Sequence, residues 1–332
     1  KLPQKDVVIC GLISFAILSL LFNYASSISF MILLRILQGI AMGLISTFLG
    51  TIVGDIIPKD RFDEGMGYYG IGVPAMSFLG PALGFILLVD MGYNVMFILL
   101  TILMTVAVTL CLQVRYKKTE EPAVAFEAAQ EHAGQLQKYI VRSGIYPMLI
   151  LFLTVVSHSS IVSFLPIYVQ RHSIYSITLF YVLAGISIIG IRLIFTIFKP
   201  KIPDKTLVVI AMLSLVITMF TIRYLASLVL LATVAVLYGL ALGIVQPYLI
   251  SKVMNGCPPN RRGAATATYY LGFDMGFGVG GALWGAVGQY IGYLGVYYFA
   301  AAIDLAALIL MFRLFRNDVR TIEKDIKVGS GA

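Results

Sequence analysis

The chain has 332 residues, 59% of them from the hydrophobic set and 12% charged, and a formal net charge of +8. Soluble domains carry about 25% charged residues, so a soluble fold of this size could not cover its surface. With a mean hydropathy of +0.93, the composition excludes a cytosolic enzyme, a secreted disulfide scaffold and a disordered chain, and leaves a helical protein that crosses a membrane many times.

Ten apolar stretches are each long enough to cross about 30 Å of hydrocarbon as a helix. The first two lie near 7–27 and 28–54, and the second contains Arg35, Gln38 and Met42 and ends at Asp55, just before Pro58 and Arg61. The third, 65–89, carries Gly72, Pro74, Gly80, Pro81 and Gly84; the fourth is 94–114. A polar stretch, 115–145, follows, in which 123–141 reads either as an amphipathic helix on the membrane face or as a tether. The fifth span, 146–169, holds His158 among Ser157, Ser159 and Ser160, with Phe164 beyond. The sixth, 174–198, contains Arg192, and 206–225 is the seventh. The eighth, 227–250, carries Tyr238 and Gln246. The ninth, 263–290, has Asp274 near its middle, and the tenth, 294–315, has Asp304 at its centre. Barrel strands would be about ten residues long and alternating; these runs are longer and continuous, so they are helices.

The connections alternate in charge. Twenty of the 24 lysines and arginines fall before the first span, at or beyond the end of the last, or in every second connection. The opposite set holds Arg171 and Arg223 alone. The positive-inside rule places the basic set, and both ends of the chain, in the cytoplasm. This sidedness accounts for the net charge, and no nucleic-acid partner is expected. Cys10, Cys111 and Cys257 form no CxxC pair and indicate neither a disulfide framework nor a zinc site. No signal peptide is visible, and a chain beginning at Lys1 is expected not to start at its natural N-terminus.

Residues n and n + 200 correspond. Lys1, Pro3 and Lys5 meet Lys201, Pro203 and Lys205; Gly39 and Gly43 meet Gly239 and Gly243; Pro58 and Arg61 meet Pro258 and Arg261. Gly72, Gly80 and Gly92-Tyr93 meet Gly272, Gly280 and Gly292-Tyr293. About one position in five matches over 1–114, without a gap. The copies run in the same direction, as in parallel repeats about an axis along the membrane normal. Two further spans stand before the second copy and none before the first. The expected organisation is therefore 1–114 as four helices of a six-helix bundle, a cytoplasmic linker 115–145, a six-helix bundle 146–316, and a cytoplasmic tail 317–332, with two helices missing before Lys1.

Arg35-Ile36-Leu37-Gln38-Gly39 through Gly43 resembles motif B (RxxQGxxxG) of the major facilitator superfamily. Gly72-Val73-Pro74 followed by Gly80-Pro81-Ala82-Leu83-Gly84 is similar to motif C, the signature of that family's drug:proton antiporter branch. The resemblance implies an all-α membrane fold of two pseudo-symmetric bundles, with ten of twelve transmembrane helices present. It implies that the second, fifth and eighth spans line a cavity, where Gln38, Met42, Ser159, Phe164, Tyr238 and Gln246 would meet substrate. It gives Gly72, Pro74, Gly80, Pro81 and Gly84 an interface role, and Asp55 and Arg61 a gating role. Motif A falls ahead of the chain, apart from what Lys1–Lys5 retains.

A charge at the bilayer centre costs about 2.5–3.5 kcal/mol on insertion scales and is a functional hypothesis by default. Arg35, Asp274, Asp304 and His158 are the candidates for proton coupling. Each has a plainer reading: Arg35 snorkelling to headgroups, Asp274 and Asp304 in structural hydrogen bonds, His158 neutral and hydrogen-bonded. A carboxyl whose contact with water changes also changes its affinity for a proton. No GxxxxGK[ST] phosphate loop, HExxH or Ser/His/Asp set is present. The expected function is secondary transport, with proton-coupled efflux of a small organic compound ahead of uptake by symport or uniport. An intramembrane enzyme or lipid-handling protein is the rival of another class. No cofactor beyond the proton gradient is expected. The expected setting is a monomer in the lipid bilayer of the plasma membrane, of bacterial type.

Overall fold

A backbone in hydrocarbon has no water to bond, so each apolar stretch must satisfy its own N–H and C=O groups, as a helix does. In a computed structural model of the chain they do so. It describes residues 3–58, 72, 76, 79–114, 116, 144–171, 177–198, 202–225, 227–255 and 262–329, and among these there is no strand. The helices are α1 (Gln4–Leu21), α2 (Ile28–Ile56), α3 (Leu79–Asp90), α4 (Gly92–Gln113) and α5 (Ile145–Arg171). They continue as α6 (Ile177–Phe198), α7 (Asp204–Thr221), α8 (Leu228–Asn255), α9 (Arg262–Tyr290) and α10 (Tyr293–Gly329).

Eight of them are long and apolar enough to cross a membrane: α1, α2, α4 to α8 and α10. The described part of α3 is shorter. At 29 residues α9 is long enough, but Thr266, Thr268, Asp274 and a run of glycines dilute its apolar character. Its glycine face is covered by α5, so it needs less apolar surface than a helix in lipid. One boundary differs from expectation. The last helix continues to Gly329 rather than ending near 315, and the charged stretch 316–328 contains no proline or glycine to stop it. The amphipathic helix read at 123–141, and Arg61 and Pro74, lie outside the described residues.

The repeat is visible in local geometry. Pro3 and Pro203 precede α1 and α7 at φ −58°, with ψ 133° and 134°. Each accepts on its carbonyl oxygen from residues three and four ahead: Asp6 and Val7 at 3.0 and 3.2 Å, Thr206 and Leu207 at 2.9 and 3.2 Å. Both helices end in one turn of 3-10 helix, Phe22–Tyr24 and Ile222–Tyr224. Ser27 and Ser227 then cap α2 and α8, each Oγ accepting from the backbone N–H three residues on at 3.2 Å. Gly92 and Gly292 have φ of +82° and +85°, which only glycine adopts without strain, and this lets α4 and α10 follow the preceding helix in a tight turn.

The chain divides into two compact units, Lys1–Glu121 and Pro122–Ala332. In the first, α1 packs on α2 and α4. Val8 and Leu12 of α1 meet Ile45 and Ile52 of α2 in its core, and Phe22 stacks on Phe97 with ring centroids 5.1 Å apart. Lys5 Nζ donates to the carbonyls of Leu112 and Val114 at 2.8 and 2.9 Å, satisfying the open end of α4. In the second unit α7 packs on α8 and α10 as α1 does on α2 and α4. There α5 lies against α9 and α10, and α6 against α8.

Candidate functional site

Four consecutive polar residues interrupt the apolar sequence of α5, and all four are buried. At 100° per residue they point round the helix, so each reaches a different neighbour. Ser157 donates to Asp304 Oδ2 of α10 at 2.7 Å. His158 Nδ1 and the Tyr238 hydroxyl of α8 share a hydrogen bond, and the Phe277 ring of α9 makes a T-shaped contact with the imidazole. Ser159 donates to Val156 O at 2.7 Å and lies against Gly280 of α9. Ser160 donates to Ser157 O at 2.6 Å and approaches Met219 Sδ of α7 at 4.0 Å. The single tryptophan, Trp284 of α9, donates from Nε1 to Val156 O at 2.7 Å.

Asp304 stands out chemically. It is 1% exposed, and its Oδ1 has no hydrogen-bond partner among the described residues. An isolated charge in such a place costs several kcal/mol. Asp274 differs. It lies on the exposed side of α9, turned away from the seam where Gly272, Gly276 and Gly280 meet α5.

The first unit has its own polar chain. Arg35 Nη1 donates to Gln38 Oε1 at 3.2 Å, Gln38 Nε2 to Ser19 Oγ at 3.1 Å, and Ser19 Oγ to Phe15 O at 2.7 Å. The Arg35 guanidinium lies 4.7 Å over the Phe22 ring. Gln38 is buried and Arg35 exposed. In the repeat register Gln38 is the counterpart of Tyr238.

The structure thus joins Asp304 to Ser157 and His158 to Tyr238 within one unit, and Arg35 to Gln38 within the other. Ser159 and Tyr238 are enclosed by helices of their own unit. Phe164 and Gln246 are half-buried, Phe164 beside the Tyr293 ring, and Met42 is exposed. Gly72, Gly80, Pro81 and Gly84 are described, while of Asp55 only the backbone, in the last turn of α2, is described. Sequence reasoning did not single out Trp284 or Gly276. The signal for Gly276 was the four-residue spacing of Gly272, Gly276 and Gly280.

A family model, the Major Facilitator Superfamily, matches residues 1–271. The chain belongs to that superfamily. It is a multi-pass membrane protein, surrounded by a lipid bilayer. It is 27% identical over 84 residues to the uncharacterized MFS-type transporter MJ1560 of Methanocaldococcus jannaschii, covering 25% of this chain and 22% of that protein. It is 38% identical over 78 residues to the MFS-type transporter YhhS of Salmonella typhimurium, covering 24% and 19%. The matched parts therefore span about a fifth of those relatives. In fold it is similar to the human organic anion transporter MFSD10 (TETRAN), with a TM-score of 0.60 and 20% identity over 93% of this chain and 77% of that one.

Proposed function

We propose that the chain belongs to a proton-coupled exporter of a small organic compound, of the drug:proton antiporter branch, working by alternating access. It is a carrier and not an enzyme. The observation that supports coupling most directly is Asp304, a buried carboxyl with Ser157 as its hydrogen-bond donor and one oxygen unpartnered among the described residues. A proton cancels its charge, so opening and closing of the bundle around it couples to proton exchange. Asp274, on the exposed side of α9, is the second carboxyl, with Arg35 and His158 as further polar groups of the pathway. Glycine and proline of the motif C pattern favour export over uptake. The proton gradient is the energy source, and no cofactor takes part. The protein is a monomer of the plasma membrane with both ends of this chain in the cytoplasm. Two more helices precede Lys1 and complete a six-plus-six fold.

Everted membrane vesicles test this reading. With a preset acid-inside gradient and a fluorescent pH probe, a panel of organic anions and lipophilic cations is added one compound at a time. Dissipation of the gradient by a compound, absent from vesicles lacking the protein, is the expected result. Movement of protons in the same direction as a compound would replace exchange by symport.

A further inference from the structure

Lys5 and Lys205 hold equivalent places in the repeat but have different tasks. Lys5 Nζ donates to the carbonyls of Leu112 and Val114, because α4 stops there and leaves them open. The equivalent carbonyls of the second copy, those of Phe312 and Leu314, lie within α10. That helix runs on to Gly329 and supplies its own N–H donors four residues ahead. Lys205 therefore has no helix end to close. It is exposed, its Nζ lies 5.5 Å from the centre of the Phe315 ring, and no oxygen among the described residues accepts from it.

Other cations gather at the same place. The apolar span of α7 begins at Asp204, and those of α8 and α10 end at Met254 and Arg316; α7 packs on both helices. Lys252, in the last turn of α8, has its Nζ 5.6 Å from the centre of the Tyr248 ring. The Tyr248 and Phe315 rings meet nearly at right angles with centroids 6.3 Å apart, so one aromatic floor carries both ammonium groups. Arg313 and Arg316 stand exposed on α10 to either side of Phe315 in sequence. Asp204 makes no ion pair with any of these cations among the described residues. Like charges held together in this way repel, and an anion placed among them relieves the repulsion. In the first copy Ile52, Gln113 and Tyr116 stand where the second has Lys252, Arg313 and Arg316.

We infer that this end of the second unit is a binding site for the phosphate of an anionic phospholipid. The depth is right, because apolar spans begin and end where a bilayer places its headgroups. What lies below the charges selects a lipid over a free anion. Leu305, Ile309 and Phe312 are exposed at spacings of four and three residues along one face of α10, and Arg316 follows four residues on. A cation at the head of an exposed apolar stripe suits an amphiphile, with an acyl chain along the stripe and the phosphate at the guanidinium. Arg316 is suited to hold two phosphate oxygens at once through its planar fork. Lys205 and Lys252 act as point charges, kept in place by the rings beneath them. Phosphatidylcholine brings a quaternary ammonium group into the same cationic patch and gains far less there.

The test reads lipid binding and not transport, so it stands apart from the reading above. The purified protein, in a neutral maltoside detergent, is melted with increasing dioleoylphosphatidylglycerol, dioleoylphosphatidylcholine or inorganic phosphate. Phosphatidylglycerol is expected to raise the melting temperature saturably, while the other two leave it unchanged. Lys205→Gln and Arg316→Gln are each expected to weaken the phosphatidylglycerol affinity about fivefold, and together about twenty-fivefold. Arg223→Gln, at the far end of the α7 span, is expected to keep the parent's affinity. Native mass spectrometry of the same samples counts retained lipid, and so reads occupancy even in a variant that melts early. An equal shift with phosphatidylcholine overturns the inference, since the charges then play no part. An equal shift with inorganic phosphate replaces the lipid site by a free-anion site. A double variant that titrates like its parent, or an Arg223→Gln form weakened as much as Arg316→Gln, shows that the lipid binds elsewhere.

Discussion

Alanine substitutions along α9 should separate the glycines that hold two helices together from those that do not. At Gly276 a Cβ would lie 2.8 Å from Val155 Cβ, and 2.9 Å from both Phe152 O and Val155 Cγ1. Ordinary contact begins at 3.4 Å, so the seam between α5 and α9 must open by about half an ångström, and overpacking of this kind costs about 1–3 kcal/mol. Alanine is also a better helix former than glycine by about 1 kcal/mol. At Gly278, two residues away, a Cβ meets no described atom within 4 Å, so the helix-forming gain acts alone. That gain is common to both variants, and the difference between Gly276→Ala and Gly278→Ala is therefore the packing cost, about 1–3 kcal/mol. Fluorescence-detected size-exclusion melting of the two variants measures it directly. Equal melting temperatures, or a less stable Gly278→Ala, would refute the close approach of α5 and α9.

Other substitutions probe the polar groups. Asp304→Asn retains an acceptor for Ser157 and should insert and melt like the parent, while losing pH-dependent exchange in the vesicle assay; Asp274→Asn should do the same, and unchanged pH dependence in either removes that carboxyl from the mechanism. Ser157→Ala takes away the donor that Asp304 has in this structure and should destabilise the protein by about 1–3 kcal/mol, read as a fall in melting temperature absent from Ser157→Thr. Trp284→Phe keeps most of the ring's packing but loses the bond to Val156 O, a cost of about 0.5–1.5 kcal/mol that thermal melting should show. Lys5→Met leaves the last carbonyls of α4 to water and should cost at most about 1 kcal/mol, seen as faster hydrogen exchange at the end of α4.

Helices were legible wherever apolar residues ran unbroken, because a bilayer leaves the backbone no other choice. The case of α9 shows the limit. Its composition alone is ambiguous, and only the contact of its glycines with α5 explains why it tolerates so few large apolar residues. The repeat was readable from Lys, Pro, Arg and Gly identities, and the caps at Ser27 and Ser227 show that it extends to single hydrogen bonds. Arg35 and Gln38 were readable as neighbours, being one turn apart. The partnership of His158 with Tyr238, 80 residues away, was not, since it depends on how two helices are rotated about their axes. The same holds for the bond between Ser157 and Asp304, 147 residues apart. Periodicity could not reveal that Gly39 and Gly239 differ in surroundings, because the residue is the same and only its neighbours change.

The four polar residues of α5 tie it at one level to α7, α8, α9 and α10. A twist of that helix about its long axis would strain all of these connections together, with no single one free to yield first. This level of the second unit is therefore stiff, and any bending of α5 falls outside the zone around Ser157–Ser160.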